Sequence, residues 1–210
     1  MSITNDIENI LKNNIVMINS NKFDALYQYL LKNHYAPYIS KLTEIFLSSD
    51  INPLKYMDYV PENYLINSRE FSHVEIPDHI REIGKFAFSS CKALQSIELP
   101  RDLEYLGDWC LARSSIKKLD CFKCKKDLYF AAGTCLDCEQ LEYIYLPNNI
   151  QITFDERSFQ STPKLKEIIY DGTLEDFEVN TIFKNYWRYG AREDDKVIVK
   201  CIDGDKYIRN

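Results

Sequence analysis

Five short apolar segments recur along the chain at nearly constant spacing: VEIP at 74–77, IELP at 97–100, KLDCF at 118–122, IYLP at 144–147 and IIYD at 168–171. The steps between them are 23, 22, 25 and 24 residues. A unit this short cannot bury a core by itself. It becomes stable when each unit lays its apolar side on the next, so self-similarity at this period predicts a solenoid in which every turn adds one strand. Such an architecture presents long surfaces.

The best-formed turn is IREIGKFAFSSCKALQSIELP, residues 80–100. Its pattern, I-x-x-I-G-x-x-A-F-x-x-C-x-x-L-x-x-I-x-L-P, resembles the BspA-like leucine-rich repeat family over about residues 71–210. The resemblance implies an α/β fold: a right-handed, gently curved leucine-rich-repeat solenoid with a parallel sheet on one side.

The ends of a solenoid expose apolar side chains and strand edges, so both need covers. Residues 3–49 carry a 3.6-residue apolar period through Ile7, Ile10 and Leu11, then Phe23, Leu26, Tyr27, Leu30 and Leu31, then Ile39, Leu42, Ile45 and Phe46, which predicts three helices. Ser20 and Asn21 offer an N-cap to the second. INPLKYMDYVPENYL, with two prolines, reads as an irregular connector. At the other end YDGTLEDF, Trp187 and VIVKCIDGDKYI look like a terminal β cap, with Asp203-Gly204 as a hairpin signal. The expected division is a helical cap and connector at 1–70, repeats at 71–171 and a C-terminal cap at 172–210.

CFKCKKDLYFAAGTCLDC, from Cys121 to Cys138, holds two C-x-x-C pairs, a spacing that often marks zinc. The repeat register supplies another account. Cys138 falls in the column of Cys91, Ser114 and Thr162, Cys135 in that of Phe88, Leu111 and Phe159, and Cys121 in that of Ile76, Leu99, Leu146 and Tyr170. All three are then small buried hydrophobes. Cys124 lies in the irregular KCKKDLY and is expected at the surface, where Lys123, Lys125 and Lys126 would lower its pKa. No metal and no cofactor are expected. The odd count of seven cysteines, set within apolar patterns, suits a reducing compartment.

Catalysis is not expected either. The three histidines, His34, His73 and His79, have no evident nucleophile or orienting partner, and there is no G-x-G-x-x-G, Walker loop, G-x-S-x-G or H-E-x-x-H. Glu175-Asp176 and Glu193-Asp194-Asp195 read as solvated charge runs. A net charge of -6 argues against nucleic-acid binding through phosphates. No signal peptide or membrane-spanning run is visible, so the expected compartment is the cytoplasm.

What remains is a surface. In the repeat register the outward strand positions read Glu75, Glu98, Asp120, Tyr145 and Ile169, beside a column of His73, Ser96, Lys118, Tyr143 and Glu167. Three stacked acids next to aromatics predict a partner protein with a basic patch, bound through Glu75, Glu98, Asp120, Tyr143, Tyr145, Glu167 and Ile169. The functional expectation is a non-catalytic interaction module, specifically a phage or mobile-element protein that inhibits a host protein. The competing expectation, a structural or adhesion repeat, follows from roles found among relatives of the resembled family.

Overall fold

The computed structural model describes residues 23–32, 36–48, 50–184 and 196–208. The expected first helix at Ile7, Ile10 and Leu11, the N-cap at Ser20 and Asn21, His34, Trp187 and the acidic run 193–195 lie outside the described residues.

Helices α1 (Phe23–Lys32) and α2 (Ala36–Ser48) are followed by a 3-10 turn at Pro53–Tyr56, which Asn52 caps by accepting from the Leu54 N–H. Among the described residues twelve strands and one more helix follow: β1 (Tyr59–Val60), β2 (Glu82–Ile83), β3 (Ser96–Glu98), β4 (Tyr105–Leu106), β5 (Lys118–Asp120), β6 (Leu128–Phe130), β7 (Tyr143–Leu146), β8 (Ile152–Phe154), β9 (Glu167–Tyr170), α3 (Leu174–Asn180), β10 (Thr181–Phe183), β11 (Val197–Cys201) and β12 (Gly204–Ile208). They form two six-stranded sheets, ordered β1-β2-β4-β6-β8-β10 and β3-β5-β7-β9-β11-β12. Every pairing is parallel except β11 with β12. The chain is therefore a parallel β-solenoid, as its period demands.

The second sheet is the one expected from the recurring segments, and its register matches: Glu98 pairs with Asp120, Asp120 with Tyr145 and Tyr145 with Ile169. The first sheet was not expected. It is built from the I-G part of each repeat, where Gly84 and Gly107 let one turn lie on the last: a Cβ on Gly107 would fall 2.8 Å from the Ile83 carbonyl oxygen. Its strands are only two or three residues long, too short for alternation to announce them.

Two differences appear at the N-terminal end. The segment read as a connector supplies the opening turn, since Tyr59 pairs with Glu82 and the Leu65 N–H donates to the Ala87 carbonyl. Conversely, VEIP at 74–77 forms no strand. Val74 and Ile76 are buried as the pattern requires, but the ladder begins one turn later, at β3. Side-chain burial alone fixes this outermost segment, because a terminal turn has fewer neighbours to pair with.

The helical pair packs on that opening turn. Tyr27, Leu30, Ile39, Leu42 and Phe46 join the same core as Tyr64, Leu65 and Phe88, with the Tyr27 and Tyr64 rings 6.3 Å apart and Tyr64 edge-on to Phe88 at 6.0 Å. The Ser40 hydroxyl donates to the Ile66 carbonyl at 3.0 Å. At the C-terminal end α3 opens with a capping box between Thr173 and Asp176, and Asp203 accepts from the Leu174 N–H at 2.9 Å, tying the hairpin to the helix. The hairpin loop is Ile202-Asp203, one residue earlier than the signal placed it, and Gly204 opens β12 at φ +154°.

Candidate functional site

Period-2 alternation puts Ile97, Leu119, Ile144 and Ile168 into the core and their neighbours outward. On the outer face Glu98, Asp120, Tyr145 and Ile169 make one column, which continues to Lys200 on β11. Ser96, Lys118, Tyr143 and Glu167 make the next, which continues to Ile198. Glu75 and His73 are exposed, yet neither belongs to the ladder. The expected column thus starts at Glu98.

The acids of this strip are paired with lysines of the same chain. Lys118 Nζ lies 2.9 Å from Asp120, Lys123 Nζ bonds Glu98, and Lys200 Nζ lies 2.9 Å from Glu167. Each of these ammonium groups is held above its ordinary pKa by its carboxylate. Pairs this exposed contribute little to stability. Their consequence here is that Glu98, Asp120 and Glu167 each share their charge with a lysine of the same chain.

The aromatic half of the face is more organised than the sequence suggested. Phe122 stands edge-on to Tyr145 at 5.3 Å, and the Lys118 ammonium sits 4.3 Å from the Tyr145 ring centroid. Tyr143, Tyr145 and Ile169 are half-buried and Phe122 is exposed. Phe122, Lys123 and Lys200 escaped the sequence reading because they follow a strand or belong to the terminal hairpin. The one available signal was that Phe122 stands where three of the other four segments carry proline.

The cysteines fall in their expected columns. Cys91, Cys121, Cys135 and Cys138 are buried, and the Cys91 and Cys138 thiols donate to the Leu65 and Leu111 carbonyls of preceding turns at 2.9 and 3.1 Å. Cys124 does not lie at the surface. A tight turn, with the Cys124 N–H bonded to the Cys121 carbonyl, folds it inward while Lys123, Lys125 and Lys126 stay exposed. Its thiol faces the Pro100 carbonyl at 3.4 Å, and burial pushes its pKa up to about 12 rather than down. Burial also pushes Cys91 up to about 12 and Cys135 well up. A disulfide-exchange reagent at pH 8 should therefore titrate no more than the half-buried Cys201 in the folded chain and all seven thiols in guanidinium. Rapid labelling of a second thiol without denaturant would contradict this burial.

Among the described residues no group of three or more His, Cys, Asp or Glu is placed to hold a metal ion, and no helix is long and apolar enough to cross a membrane. His73 and His79 are exposed, and His79 Nε2 lies 3.0 Å from the Met57 carbonyl oxygen.

A parallel solenoid of stacked turns, with ladders of side chains on its outer faces, defines a repeat scaffold. Residues 58–187 match the BspA type leucine rich repeat region in six copies, and the chain belongs to that family. The match opens at the turn formed by β1, ahead of the first recurring segment at 74–77. No curated protein and no solved structure matches the chain. Repeat scaffolds of this kind are typically non-enzymatic and serve as interaction modules.

Proposed function

We infer that this chain is a non-catalytic protein-binding module and that the outer face of the second sheet carries the contact. One observation supports this above the others. Tyr145 and Ile169 form an unbroken partly exposed row, flanked by Tyr143 and Phe122, on a ladder whose backbone is held on both sides. Rigid aromatic side chains lose little entropy when a partner covers them, which is why such residues dominate interface energetics. The ion pairs of Glu98, Asp120 and Glu167 form a polar border to this patch, so the face offers a partner apolar complementarity more than net charge.

The test compares proteins captured from a lysate of the source organism by wild type, Tyr145→Ala and Glu98→Lys. Tyr145→Ala should cost about 2 kcal/mol of binding to the captured partner and leave the melting temperature nearly unchanged. Glu98→Lys sets two ammonium groups against each other, and slower association with altered salt dependence would show that charge still contributes. A partner that binds both variants as it binds wild type would make this face scaffold only.

A further inference from the structure

Between the two sheets each turn crosses a corner, and these corners stack into a third face whose backbone is unusual. Two residues per corner lie at positive φ. The first column is Asn63, Phe86, Trp109, Gly133 and Arg157, and the second is Asn67, Ser90, Arg113, Asp137 and Ser161. Successive corners are joined by hydrogen bonds such as Phe86 N–H to the Asp108 carbonyl and Trp109 N–H to the Ala132 carbonyl. Glycine and asparagine are natural occupants of the left-handed region, whereas bulky aromatic residues there are outliers. Phe86 at φ 57° and Trp109 at φ 52° are two such outliers in consecutive turns.

Their side chains form one unit. The rings stack at 5.4 Å and 12°, and the indole lies on the backbone of Gly133, where a Cβ would come within 2.6 Å of it. Beside the pair is a cleft of ≈ 170 Å³, lined by Phe86, Trp109, Ala112 and Leu136, which suits one branched or aromatic side chain. Arg113 separates this cleft from a polar trough of ≈ 440 Å³ containing Ser90, Ser115 and Gln140. The trough offers what an extended backbone would use.

Charge chooses the occupant. Lys85 Nζ stands 5.0 Å from the Trp109 ring centroid and 5.2 Å from that of Phe86, at the apolar end. Lys92 Nζ donates to the Arg113 carbonyl at 2.6 Å in the trough. Among the described residues neither ammonium is in an ion pair. Of the trough's acids, Asp137 is held by Arg113 at 3.2 Å, and Glu139 lies on the side away from the aromatic cleft. Asp108 precedes Trp109 in the same corner.

We propose that this third face is a second binding surface, separate from the strand face, and that it takes a short extended peptide segment of another protein carrying an apolar side chain next to a carboxylate. The apolar side chain enters the Phe86–Trp109 cleft, the carboxylate meets Lys85, and the peptide backbone runs over Ser90, Ser115 and Gln140. Glu139 sets the direction by repelling a carboxylate at the far end.

The experiment is selection of a displayed library of random short peptides on the immobilised full chain, followed by fluorescence anisotropy of the enriched peptides. The expected sequences pair Leu, Ile, Phe or Trp with Asp or Glu. Trp109→Ala should weaken them on the order of tenfold, Lys85→Glu should also weaken them, and Tyr145→Ala should leave them unchanged. Lys85→Glu breaks no ion pair but also removes the ammonium held over the two rings, so Lys85→Gln, which keeps most of the stem and drops only the charge, is measured beside it and should weaken the peptides too. Failure to enrich any peptide above the bare support, enrichment of basic peptides, or full binding to Lys85→Glu would each overturn the proposal. Peptides lost with Tyr145→Ala but kept by Lys85→Glu belong to the strand face, which would support the first surface while removing the second.

Discussion

Removal of residues 1–50 should leave the remaining repeats without a cooperative thermal transition and with strong binding of a hydrophobic dye. The helical pair and the opening turn share one core: Tyr27, Leu30, Ile39, Leu42 and Phe46 are buried in it, and Tyr64, Leu65 and Leu54 have almost no exposure. Each large apolar side chain fully buried contributes about 1.5–3 kcal/mol, so losing the helices' share and uncovering their partners is comparable with the 5–15 kcal/mol that holds a typical domain together. Polar links go too, among them Ser40 to the Ile66 carbonyl and Gln28 to the Tyr59 hydroxyl at 2.7 Å. Among the described residues the Tyr64 hydroxyl is buried without a partner, so the burial around this ring has to outweigh that cost. Circular dichroism melts of the full and shortened chains decide the matter. An unchanged, cooperative melt of the shortened chain would mean that the helices are an appended unit and not a cover.

Phe154→Ala should be among the most damaging single substitutions. Phe154 is fully buried on β8, with ring centroids at 4.6 Å to Phe130, 5.3 Å to Phe159 and 5.1 Å to Phe183, so it joins three successive levels of the solenoid. Truncation leaves a cavity that rigid neighbouring strands cannot close, at a cost of about 4 kcal/mol, which lowers the melting temperature by about 10 °C in a chain of this size. Phe154→Leu, which keeps most of the volume, should cost about 1–2 kcal/mol. Denaturant titration separates the two, and equal losses would show that ring stacking, not volume, sets the stability here.

The limits of sequence reasoning follow the range of the interactions involved. Val74, Ile97, Leu119, Ile144 and Ile168 could be placed inward from spacing alone, because alternation along a strand and burial of its apolar side are local consequences of each turn's own residues. Three of the four cysteines in the zinc-like stretch were explained in the same way, by column. Cys124 was not, since a turn closed by one hydrogen bond to Cys121 reverses which side of the segment faces the core, and the adjacent lysines gave the opposite impression.

The sequence by itself determined the period, the inward columns, the pairing register of the second sheet from β3 to β9 and the family. Tertiary structure decided the first sheet, the opening turn at Tyr59–Val60 and the character of both candidate surfaces. The reason is physical. Glu98 meets Lys123, Glu167 meets Lys200, Phe122 meets Tyr145 and Phe86 meets Trp109 only after one turn has been laid on the next, and where a long side chain ends is set by neighbours some 23 to 33 positions away. A repeat period states that such neighbours exist, while the stacked turns alone decide which charges cancel and which rings remain open to a partner.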